Sequence, residues 1–71
     1  MDYNAFFADV TGWIQYANQQ ALRLGLQSAD FWAWVADSTG AMCRHYQDHP
    51  LVIKQMVMLA EWLEEAYDAR L

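Results

Sequence analysis

Apolar residues recur every three or four positions along three stretches of this chain, and two short interruptions separate the stretches. The first stretch predicts a helix from Asp2 or Asn4 to Leu24. Tyr3, Phe6, Phe7, Val10, Trp13, Ile14, Ala17, Ala21 and Leu24 share one arc of roughly 120° on it. Asn4, Asp9, Thr11, Gln15, Gln19 and Arg23 fill the other side, with Gly12 among them. Gly25 then lies between Leu24 and Leu26, as a helix-ending glycine does. Ser28 offers the next N-cap, with Asp30 in the first turn where the helix dipole favours negative charge.

The second stretch predicts a helix over residues 29–47. Phe31, Val35, Met42 and Tyr46 form the centre of its buried face. Ser38 and Thr39 interrupt that face, and the run from Asp37 to Gly40 could instead be a turn. The apolar phase before the run matches the phase after it, which favours one helix. The hydroxyls can bond back to a carbonyl one turn earlier. Asp48-His49-Pro50 closes the segment. Proline suits a helix start and discourages helix just before it, so Asp48 or His49 caps the third helix.

That third helix is predicted over residues 51–69. Val52, Ile53, Met56, Leu59, Ala60, Leu63 and Tyr67 form its main face, and Lys54, Glu61, Glu65 and Asp68 its polar side. Three helices joined by short loops imply antiparallel neighbours. The expected fold is all-α: residues 1–71 form a single up-down-up three-helix bundle that a second copy can complete. Phe7, Val10, Ile14, Val35, Met42, Met56, Leu59 and Leu63 are expected in one core.

The pattern leaves apolar side chains over. Trp32 and Trp34 stand two residues apart, so on a helix they point roughly 160–200° away from each other. One core struggles to cover both. Leu51, Met58 and Trp62 make a second apolar stripe beside the main face of the third helix. A helix apolar over most of its circumference is central or at an interface. Trp32, Trp34, Leu51, Met58 and Trp62 are therefore the candidate interface residues. The partner is another protein chain or a second copy, in a homodimer.

Composition narrows the classes. The apolar share, about 55% with glycine counted, exceeds the usual 45–50%. The net charge is −5, and Arg23, Arg44, Lys54 and Arg70 do not cluster. Phosphate binding needs a basic stripe, so nucleic acid is not an expected partner. No apolar run reaches the roughly 20 residues of a bilayer span, and the first helix lacks the basic polar face of a membrane-surface helix. No basic segment followed by an apolar run opens the chain, so no signal peptide is expected. Cys43 is the single cysteine and forms no internal disulfide, which fits a cytoplasmic protein.

Candidate chemistry is thin. His45 and His49 are four residues apart, a spacing used by metal-binding histidines on one helix face. Nothing nearby supplies a third ligand, and the plainer reading puts His45 at the core edge and His49 at the helix start. Glu61, Glu64, Glu65 and Asp68 read as a solvated face rather than as acid–base carboxylates. Cys43 lies too far from a helix N-terminus to read as an activated thiolate. No phosphate loop or nucleophile elbow occurs. The expectation is a non-enzymatic interaction module without cofactor or metal. The rival class is a small-molecule or metal binder that uses His45, His49 and the tryptophans.

Overall fold

The computed structural model describes residues 1–68, with side chains through Ala66. The expected places of the Tyr67 and Asp68 side chains, the helix end at Ala69, and Arg70 lie outside the described residues. Three α-helices form a bundle: α1 (Tyr3–Leu24), α2 (Ala29–His45) and α3 (Pro50–Asp68).

Local chemistry sets each end. The Asp2 carboxylate accepts the Ala5 N–H at 3.0 Å and opens α1. Gly25 closes it at φ 86°, a left-handed conformation open to glycine, and donates its N–H to the Ala21 carbonyl. The Ser28 hydroxyl caps α2 by accepting the Asp30 N–H at 3.1 Å. Helix α2 ends at His45, two residues earlier than the sequence pattern suggests. Gln47 and Asp48 turn the chain there at φ 58° and 57°, and Asp48 N–H reaches back to the Cys43 carbonyl at 2.8 Å. His49 caps α3, its Nδ1 accepting the Leu51 N–H at 3.2 Å, and Pro50 is the first helical residue.

The run from Asp37 to Gly40 is helical throughout. The Thr39 hydroxyl bonds the Val35 carbonyl at 2.8 Å, and the Ser38 hydroxyl bonds the same carbonyl at 3.3 Å. Their side chains thus satisfy themselves locally without breaking the helix.

Helices α1 and α2 are antiparallel. Phe6 lies edge-on to Tyr46, Trp13 donates to Ser38 and stacks on Trp34, and Tyr16 leans on Trp34. As α1 is read forward, its partners on α2 run backward. The four-residue turn into α3 reverses the chain again. Twenty-two residues of α1 give about 33 Å of helix, matching the 38 Å long axis of the molecule.

One core holds Phe6, Val10, Trp13, Ala17, Phe31, Val35, Val52, Met56, Leu59 and Leu63. Five of the eight expected core residues are among them. Ile14 and Met42 are partly buried at its edge, and Phe7 is a correction: it is 48% exposed, while its neighbour Phe6 is fully buried. Adjacent residues on a helix point about 100° apart, so only one of the two phenylalanines reaches the centre. Ile53, expected on the main face of α3, lies at its exposed border.

The three helices pack around one shared core. Among the described residues α2 packs on both of the other helices. Helices α1 and α3 meet through the side chains of the shared core. The accessible surface of 4820 Å² is close to the roughly 4,600 Å² expected of a compact monomer of this mass. The apolar surplus therefore sits on the outside of a closed fold rather than in an unfinished core.

Gly12 lies on the exposed side of α1 with no heavy atom within 4 Å of the place a Cβ would take. Gly12→Ala is expected to stabilise the fold by about 0.5–1 kcal/mol, through helix propensity alone. A thermal melt that shifts downward would contradict this account of α1.

Candidate functional site

The tryptophan pair on α2 finds cover on both sides, because α2 has a neighbour on each flank. Trp34 stacks on Trp13 with ring centroids 5.5 Å apart. Trp32 turns back over the preceding loop, and its Nε1 donates to the Leu26 carbonyl at 2.7 Å. It also meets Phe31 edge-on. Both indoles are half-buried and packed against the core. Each indole is thus partly covered, because α2 has a neighbour on either side, and part of each stays accessible. Leu51 is likewise partly buried against the core.

Met58 and Trp62 remain outside, at 53% and 43% exposure. Stepping about 100° per residue around α3 puts Leu51, Met58 and Trp62 on one flank of its buried face. Ile53 and Val57 lie on the other flank, also exposed. Lys54, Glu61 and Glu65 separate the two.

The neighbour of the Met58 flank follows from helix geometry. In a ring of three helices, α2 lies to one hand of α1 and to the opposite hand of α3. On α1, the side that meets α2 carries Asp9, Trp13 and Tyr16. Going round α1 in the sense of rising residue number, this side comes before the buried centre. Helices α1 and α3 run in the same direction, so the corresponding side of α3 faces α1, and that side carries Leu51, Met58 and Trp62. The opposite side of α1, turned toward α3, carries Tyr3, Phe7 and Ile14. Tyr3 and Phe7 are exposed. The seam between α1 and α3 is thus apolar on both walls. The sequence pattern finds the α3 wall; it misses the α1 wall because Tyr3 and Phe7 lie within the broad apolar arc of α1. The doublet Phe6-Phe7 carries the same signal as Trp32 and Trp34 and could have revealed it.

A concavity of about 330 Å³ lies at the end of the bundle, lined by Met1, Asp2, His45, Tyr46, Gln47 and His49. The two histidines share it, with His45 exposed and His49 Nδ1 engaged by the Leu51 N–H. No group of three or more metal-ligating side chains occurs among the described residues. Cys43 is partly buried beside the core. Glu61, Glu64 and Glu65 are exposed.

Tyr46 is the perturbed group at this end. Its hydroxyl donates to Asp9 Oδ2. That bond, with desolvation and the negative charges of Asp9 and Asp2, pushes the phenol up from 10.0 to about 12. A raised folded pKa gives stability that is present below pH 10 and is lost as pH rises through 12. Absorbance titration is expected to show one tyrosine ionising about two units late, and Tyr46→Phe to remove that late step. A wild-type titration with no late step, or a late step that persists in Tyr46→Phe, would show that the Asp9 bond does not hold in solution.

No helix among the described residues is long and apolar enough to cross a membrane. Comparisons with protein-family models, with curated proteins and with solved structures find no match for this chain.

Proposed function

We propose that this protein is a non-enzymatic helical interaction module that docks another polypeptide along the seam between α1 and α3. One observation carries the reading: Met58 and Trp62 are about half exposed on a fold whose surface is already that of a compact monomer. Large contiguous apolar patches on monomers mark interaction sites. Tryptophan is enriched at binding hot spots, and methionine adapts to irregular apolar contacts. Phe7 and Tyr3 extend the patch onto the facing helix. The net charge of −5, with no clustered cations, argues for a protein rather than a nucleic acid as partner.

A photoreactive amino acid placed at position 58 tests this in the cells that make the protein. A discrete covalent adduct with another polypeptide is expected there. The same group at Gln19, which is exposed on the outer face of α1, is expected to give none. Equal labelling from both positions, or no adduct from position 58, would refute a docking surface at the seam.

A further inference from the structure

We infer that the start of α3 is a pH-responsive catch, held shut by neutral His49 and released when His49 takes up a proton. Geometry carries the inference. His49 is the N-cap of α3: its carbonyl accepts the Ile53 N–H at 3.1 Å, and Pro50 is the first helical residue. An N-cap side chain accepts a first-turn N–H that the helix itself leaves without a partner. Here the acceptor is an imidazole, whose Nδ1 takes the Leu51 N–H at 3.2 Å. A neutral imidazole accepts at one nitrogen and carries its proton on the other, so the proton belongs on Nε2. A protonated imidazole has a hydrogen on both nitrogens and accepts nothing. Its charge also lies at the positive end of the α3 dipole, which repels it.

The other two helices have no such switch. Asp2 caps α1 and Ser28 caps α2. A serine hydroxyl does not titrate, and carboxylates ordinarily stay charged down to about pH 4. Histidine is the side chain whose ordinary chemistry changes its charge between about pH 5 and 8. Acidification through that range therefore acts on one cap of the three. The turn before this cap is strained. Gln47 and Asp48 both lie in the left-handed region, which residues with a Cβ adopt at a cost. Such a turn persists only while its surroundings hold it. Asp48 N–H bonds the Cys43 carbonyl, His49 N–H bonds the Tyr46 carbonyl, and the His49 ring holds Leu51. Loss of the ring's bond loosens the turn and the first turn of α3 together.

Every element at this end of the bundle brings a charged or titratable group toward His49. The start of α1 brings the Met1 amino group and the Asp2 carboxylate. Helix α2 brings His45, and Tyr46 follows it with its hydroxyl engaged by Asp9. The turn itself carries Asp48. The carboxylates favour a charge on His49, and His45 and the amino group oppose it. Among the described residues none of these groups forms an ion pair with His49. The Leu51 bond is the direct polar contact of the ring, and it sets the sign. The folded chain prefers the neutral ring, so its stability falls as pH falls.

Thermal melts of the full chain at about pH 7.5 and pH 5.5 test the inference, together with the nuclear magnetic resonance position of the Leu51 amide across that range. Wild type is expected to melt about 4 °C lower at the acid pH, the scale of one lost cap in a domain of this size. The Leu51 amide is expected to move in step with the His49 ring as it titrates. His49→Asn supplies a strong cap that does not titrate, and it is expected to abolish both the acid loss and the Leu51 step. His45→Asn is expected to keep them, because His45 caps nothing. A wild-type melt equal at the two pH values, or higher at the acid one, would overturn the catch. So would an acid loss that persists in His49→Asn. A Leu51 amide that stays still while the His49 ring titrates would overturn it in the wild type alone, without any variant.

Discussion

Phe31→Ala is expected to remove most of the stability of this fold. Phe31 is fully buried at the start of the middle helix, against Trp32 on one side and Trp34 on the other. Truncating a core phenylalanine costs about 3–5 kcal/mol, because the lost transfer energy adds to that of the cavity left behind. A domain of this length has roughly 4–11 kcal/mol in total, at about 0.05–0.15 kcal/mol per residue. The variant is therefore expected to be marginal or unfolded at room temperature. Urea denaturation followed by far-ultraviolet circular dichroism measures it. A loss under about 1 kcal/mol would mean that Phe31 does not face the shared core.

Trp13 is expected to give the second large effect, because it joins α1 to α2 in two ways. Its ring is 6% exposed and stacks on Trp34. Its Nε1 donates to the Ser38 hydroxyl at 2.8 Å. Trp13→Ala loses the area and the stack together, about 3–5 kcal/mol. Ser38→Ala leaves a part-buried indole N–H without its partner and costs about 1–2 kcal/mol. Trp13→Phe with Ser38→Ala removes donor and acceptor at once, so the double variant is expected to be more stable than the two single losses predict. Strict additivity across this cycle would show that the bond contributes nothing.

The sequence makes legible whatever is local. Asp2, Gly25, Ser28 and Pro50 mark helix ends by their own backbone and side-chain chemistry, and the three helices lie where the apolar periodicity puts them. Val10, Val35, Met56, Leu59 and Leu63 are buried because each sits near the centre of its arc. Periodicity gives the direction of the core from each helix but not the order in which the helices stand around it. That order decides the fate of the border residues. With a neighbour on each side of α2, Trp32 and Trp34 are each partly covered, where the pattern alone leaves one of them over. Met58 and Trp62 stay out, as their position beside the main face of α3 suggests. Phe7 goes the other way: it shares the arc of α1 with Phe6, and three-dimensional packing has room at the centre for one ring.

The claim that the seam is surplus to the fold is tested most directly by the unfolding free energy of Met58→Gln. A half-exposed methionine on a docking surface contributes little to its own domain, so the loss is expected to stay below about 1 kcal/mol, near the range of ordinary surface changes. A loss of about 2 kcal/mol or more, typical of a methionine truncated in a core, would contradict the account and return the Met58 flank to the interior of the bundle.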